Sequence, residues 1–280
     1  MRWSRTGGGD IEDRRGSGMG MGVPIIGGGM GVVGLLVALV FGLLGGGGGG
    51  STYGIPSALS PLDAPQAQSG PPADDTGAFV GFVETNVQDS WAKSFGDAGE
   101  TYTRAKVVLY DSQTPTACGT GSAAAGPFYC PGDSKVYLDT SFFNELKTRF
   151  GAPGDFAQAY VIAHELGHHV QNLLGVSEKV SRQEQRDPAH ANQLSVRLEL
   201  QADCLAGVWG HSAKQQGILD PGDVEEGLRA AASVGDDTLQ RQAGQRVNPE
   251  TWTHGSSAER SKWFRTGFDS GDPNSCDTFS

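Results

Sequence analysis

Apolar positions take three forms along the chain: one unbroken run, stripes at helical spacing, and short β-branched runs. Phe79, Phe82, Val83, Val87, Trp91 and Phe95 recur every three or four residues, which predicts an amphipathic helix over 78–95. KVVLYD (106–111) and KVYLD (135–139) predict two strands. The small-residue stretch 118–129 predicts irregular chain, and 141–150 a short helix ending at Gly151. A strongly apolar stretch then predicts a helix over 156–174, with Asp155 as N-cap and Gly175 closing it. A polar segment, 177–186, follows. Asp187-Pro188 reads as N-cap and first helical residue of a helix reaching 216, and Asp220-Pro221 opens another to 234. Residues 248–254 predict a loop and 256–268 the last helix. The sum is a mostly helical α+β domain with a small sheet, spanning 76–280.

The first quarter of the chain reads differently. Residues 1–22 are rich in Arg, Gly and acidic residues and predict a disordered tail. Residues 23–44 (VPIIGGGMGVVGLLVALVFGLL) form a 22-residue run without a charge. As a helix this run would extend roughly 33 Å, enough to cross a bilayer core. It is longer than the apolar core of a usual signal peptide, and no A-x-A cleavage site follows. An uncleaved transmembrane helix is therefore the expectation, with a secreted, signal-peptide-bearing protein as the alternative. Residues 45–75, rich in Gly, Pro and Ser, predict a flexible linker. Arg2, Arg5, Arg14 and Arg15 precede the apolar run, and no Lys or Arg follows it until Lys93. That asymmetry predicts a cytoplasmic N-terminus and a domain outside the cell membrane.

The net charge of −11 and the lack of a basic stripe interleaved with aromatics argue against nucleic acid as a partner. The four cysteines, Cys118, Cys130, Cys204 and Cys276, all follow the apolar run, on the side where disulfides persist. Pairing Cys118 with Cys130 closes a short loop, and pairing Cys204 with Cys276 ties the tail to the core. Of the three pairings possible this is the preferred one.

Within the stretch AYVIAHELGHHV lies H-E-x-x-H. On a helix, positions i and i+4 sit about 40° apart, so His164 and His168 can address one metal ion. Glu165 stands one step round, where it can act on a water at that ion. Zinc takes neutral nitrogen ligands, keeps an open position and needs a base nearby. A core helix carrying two histidines by chance is the bland alternative. It would have to bury His164, Glu165 and His168 without a compensating partner. His169 faces about 100° away from His168 and suits a supporting or surface role.

A catalytic zinc needs a third protein ligand. The pattern H-E-x-x-H-x-x-G-x-x-H is excluded by Gln171 and Leu174. LELQAD (198–203) offers Glu199 as ligand, with Asp203 four residues on to accept the N–H of a ligand histidine. A solvated helix face paired with Arg197 or Lys214 is the competing reading. His190, His211 and Asp203 itself are rival ligands.

The stretches AYVIAHELGHHVQNLLG, RLELQADCLAGVWGH and THGSSAERSKWF, with GPFYCPGDSKVYLD upstream, resemble the neutral zinc metallopeptidase family of bacterial membranes. The likeness covers about 76–279, with EDRRG before the apolar run. It implies a fold like the gluzincin (zincin-like) peptidases, one Zn²⁺ per chain, and a peptide or protein substrate. It also implies Glu199 as third ligand and Asp203 as support for a histidine. His254, in the loop before the last helix, would stabilise the oxyanion, and Arg260 would orient His254 or the substrate. The expected function is a membrane-anchored zinc endopeptidase with Glu165 as general base. The alternative is a catalytically silent, zinc-stabilised binding domain. A substrate strand would pair with an exposed sheet edge, supplied by 119–129 or 136–139.

Overall fold

The computed structural model describes residues 1–16, 68–70, 72–123 and 126–280. The apolar run 23–44 lies outside these residues. Among the described residues no helix is long and apolar enough to cross a membrane.

A five-stranded sheet forms one layer. Its strands are β1 (Ile11–Asp13), β2 (Gln68–Ser69), β3 (Lys106–Tyr110), β6 (Phe128–Cys130) and β7 (Lys135–Asp139), in the order β2-β1-β3-β7-β6. The three inner strands are parallel, and β2 and β6 run antiparallel to their neighbours. Side chains alternate across a strand, so Ile11, Val107, Leu109, Val136 and Leu138 join the main core. Val108, Tyr110 and Tyr137 face the other way and pack with Cys130, Cys118 and Phe128. The segment predicted as irregular is ordered instead. β4 (Gln113–Thr116) and β5 (Gly119–Ser122) form a hairpin, and β6 follows it. Threonine and glycine hid this hairpin, because it buries little apolar surface of its own.

Eight helices are described. α1 (Asp75–Asp97) is capped by Asp74, whose carboxylate accepts from the Gly77 N–H. α2 (Phe142–Thr148) is short. α3 (Asp155–Leu173) carries the H-E-x-x-H stretch and ends at Gly175, which adopts φ 71°. Asp155 is not its N-cap. Gly154 takes that position, and the Asp155 carboxylate bonds the Met1 ammonium. The polar segment after Gly175 is itself a helix, α4 (Val176–Arg186), with Val180 its one buried residue. Pro188 opens a 3-10 turn (Pro188–His190) rather than the helix, and α5 runs from Ala191 to Gln215. α6 (Asp223–Ser233) starts after Gly222, two residues later than Pro221 suggested. α7 (Asp236–Gln242) was not expected. α8 (Ser257–Ser270) begins with a reciprocal capping box between Ser256 and Glu259.

The core sits where α3, α5 and α8 meet, around Phe156, Tyr160, Trp209 and Phe264. α5 and α8 pack almost backbone to backbone. A Cβ on Gly267 would stand 1.9 Å from the Cys204 carbonyl oxygen, so only glycine fits there. That close approach carries Arg260 of α8 into the space between α3 and α5. Both preferred disulfides are present, Cys118–Cys130 and Cys204–Cys276, with Cα separations of 5.8 and 5.5 Å.

The disordered tail expected for 1–22 is corrected over residues 1–16. Ile11 is 1% exposed, β1 lies between β2 and β3, and Trp3 packs edge-on against Phe79 of α1. Composition misled here because the arginines of this segment pair with carboxylates, those at the surface included, while Ile11 and Trp3 supply the apolar contacts. Arg2 meets Asp220, Arg5 meets Asp75, and Arg15 bridges Asp13 and Asp74.

Candidate metal centre

α3 presents His164 and His168 toward Glu199 on α5. The Nε2 atom of His164 lies 3.2 Å from one Glu199 carboxylate oxygen, and that of His168 lies 3.4 Å from the other. The two imidazoles stand perpendicular, with ring centroids 4.8 Å apart. One nitrogen or oxygen from each of the three residues falls within 4.8 Å of the others, close enough to share one cation.

The outer nitrogens of both rings are engaged. His164 Nδ1–H donates to Asp203 Oδ1 at 2.9 Å, and His168 Nδ1–H donates to Gln171 Oε1 at 2.8 Å. These bonds leave both Nε2 lone pairs directed at the shared space. Two imidazoles and a carboxylate are the donor set of a catalytic zinc site with one position open. The residues therefore fit a zinc ion.

The supports differ in charge. Asp203 is fully buried and receives Arg260 Nε at 2.7 Å and Nη2 at 3.0 Å, together with the Tyr160 hydroxyl. Burial alone would raise the Asp203 pKa, but Arg260 and His164 hold it below the usual carboxylate range. Gln171 is neutral. Its amide donates to the Leu198 carbonyl and to Gln201 Oε1, and Gln201 in turn donates to the Cys276 carbonyl at 2.9 Å. Burial disfavours a charged His164, yet the Asp203 and Glu199 carboxylates outweigh it and raise its pKa to about 10. A zinc ion would take the place of that proton.

Glu165 is buried, and its side chain makes no hydrogen bond among the described residues. Desolvation raises its pKa, opposed by His164 and His168. A carboxylate with a raised pKa and no fixed partner suits taking up and passing on a proton.

His254 lies within reach of the Glu199 charge. Burial opposes its protonation, but Asp236 and Glu199 raise its pKa. Asp236 accepts the backbone N–H groups of Thr253, His254 and Gly255 and sits 3.2 Å from His254 Nδ1. Asp236, not Arg260, orients this histidine. Arg260 is spent on Asp203, Tyr160 and the Val234 carbonyl. Sequence reasoning missed Asp236, Tyr160 and Gln171; helical spacing could have found Tyr160, four residues before His164, and Gln171, three after His168, whereas nothing local marks Asp236.

The rival ligands lie elsewhere. His190 pairs with Asp187 at the surface, and His211 bonds the Phe268 carbonyl. His169 is buried and its pKa is lowered by desolvation. It bonds the Thr103 carbonyl through Nε2, while its Nδ1 lies 3.1 Å from the Tyr129 hydroxyl. Asn172 donates to the same hydroxyl, so α3 pins strand β6 through Tyr129. β6 is the outer strand of the sheet and covers β7 as far as Tyr137, which leaves 128–130 at an edge and 136–137 not. Of a second carboxylate group, Asp155, Asp223 and Glu226, the first two pair with the Met1 ammonium, at 2.8 and 3.4 Å.

A fold of this kind around such a donor set defines a candidate zinc hydrolase. The family model described as "Putative neutral zinc metallopeptidase" matches residues 1–279, and the chain belongs to that family. It is 48% identical over 286 residues to YpfJ of Escherichia coli (strain K12), covering 100% of this chain and 99% of the relative. It is 51% identical over 190 residues to Rv2575 of Mycobacterium tuberculosis, 64% of each chain. No solved structure matches it significantly.

Proposed function

We propose that the protein is a membrane-attached, extracytoplasmic zinc endopeptidase. The observation that carries this reading is the convergence of His164 Nε2, His168 Nε2 and Glu199, with both Nδ1 atoms held from behind. Bound zinc would supply Lewis acidity toward a water and a peptide carbonyl. Glu165 takes a proton from the water as its oxygen attacks the carbonyl carbon, then delivers it to the leaving amine as the C–N bond breaks. His254, held by Asp236, donates an N–H to the developing oxyanion. The peptide backbone lies along the free edge of β6, which Tyr129 fixes relative to α3. The apolar run 23–44 supports membrane attachment. The disulfides support an oxidising compartment.

Glu165→Gln is expected to keep its zinc, measured by metal analysis, and to lose peptide cleavage by at least about a hundredfold. Undiminished cleavage would remove the mechanism. Glu199→Ala is expected to lose zinc as well as activity. A chelator-insensitive wild-type protein that cleaves no peptide would instead support the silent binding domain.

A further inference from the structure

β1 and β2 are antiparallel neighbours, with Glu12 opposite Ser69 and Asp13 opposite Gln68. The chain that leaves the sheet after β1 therefore rejoins it beside the same strand. The segment between, 17–67, contains the apolar run 23–44. A single crossing of a bilayer within that segment would set residues 1–16 and 68–280 on opposite faces. The sheet would then lack β1.

The packing of residues 1–16 opposes that separation. β1 runs parallel to β3 in register, Ile11 beside Val107 and Asp13 beside Leu109. Gly7 and Gly8 cross α1 where a Cβ on Gly81 would stand 2.9 Å from the Gly8 Cα, so the segment and the helix are fitted to each other. Asp10 pairs with Arg104 and Lys106, and Glu12 with Lys135. Arg2, Arg5 and Arg15, three of the arginines that would mark a cytoplasmic flank, each meet a carboxylate of the body of the domain.

We propose that residues 1–16 dock on the peptidase domain on the same side of the membrane as the metal centre, so that segment 17–67 begins and ends on that one side. The partner this implies is a lipid surface met from one face. The inference rests on the membrane attachment proposed above, but its test uses neither zinc nor cleavage.

The full chain is tested in intact bacterial cells with a membrane-impermeant maleimide. The native cysteines are disulfide-bonded, so an added thiol reports alone. Ser4→Cys samples the N-terminal segment, and Lys179→Cys, on exposed α4, samples the domain. Both are expected to label without permeabilisation. Labelling of Lys179→Cys at once, but of Ser4→Cys only after permeabilisation, would overturn the proposal. Trp3→Ala in the detergent-extracted full chain is expected to lower the melting temperature by about 4 °C or more. An unchanged melting temperature would show that the segment does not dock. Carbonate extraction reads membrane attachment separately. Release into the soluble fraction would sink the lipid partner and leave the labelling result standing.

Discussion

Asp203 shows how a single side chain can govern a site it does not enter. It is fully buried, receives Arg260 twice and Tyr160 once, and fixes the His164 tautomer. Arg260→Met would leave that carboxylate buried without its cation, which costs about 3–5 kcal/mol when one partner of a buried pair is removed. Urea denaturation is expected to show a loss of this size. Adding Asp203→Asn should recover part of it, since no stranded charge then remains. The ligands themselves were legible, because helical geometry turns a four-residue spacing into a shared face. Their supports were not. Gln171 and Tyr160 stand at helical spacing from His168 and His164, but spacing does not reveal that they meet Gln201 and Asp203 on α5. Asp236 reaches His254 by loop geometry that no local pattern encodes, and an arginine in a capped helix carries no mark of its target.

Among the elements, α3 was readable from its apolar stretch and the glycine that closes it, though not from its N-cap, and α8 from its aromatic residues; the Ser256 and Glu259 capping box of α8 emerges from the structure. α4 was not readable, since a helix that buries Val180 alone has almost no apolar stripe. The β4–β5 hairpin was missed for the same reason. β1 was hidden more deeply: three residues are too few for a periodic signal, and its stability comes from neighbours distant in sequence. Those neighbours give it a pH dependence. Arg15 and the Gly77 N–H hold the Asp74 pKa at about 2 against an ordinary 3.8, and Asp10 and Glu12 are also lowered despite burial, by Lys106 and Arg104 and by Lys135 and Arg14. Carboxylates with depressed pKa values stabilise the fold above their unfolded values and lose that contribution as pH falls through the folded ones. The melting temperature is therefore expected to fall between about pH 4.5 and pH 2. Asp74→Asn should flatten part of that fall, as read by calorimetry across the range.

The molecule as a whole is closed by two covalent links. Cys204–Cys276 joins residues 72 apart, and the tail beyond it bonds α5 through Thr278 and Phe279 to Arg197. Cysteine spacing predicted the pairing, but not what the tail does once it is held. Chain-entropy arguments give a link of this span about 4 kcal/mol, model-dependent. Cys276→Ser is expected to lose about 2–4 kcal/mol by denaturant titration. The first quarter of the chain illustrates the opposite case. An apolar run and its flanking charges suggested one arrangement, and the sheet that β1 completes points to another, because a hydropathy pattern does not record which strands pair.

The amide relay from His168 through Gln171 and Gln201 ends on the Cys276 carbonyl. Breaking the buried Cys204–Cys276 bond would loosen that end of the relay, one imidazole's mooring, while His164 stays anchored by its carboxylate. Protein reduced with a phosphine, which breaks disulfides without offering zinc a thiolate, should then hold its metal less tightly than the oxidised form although no ligand has been chemically altered.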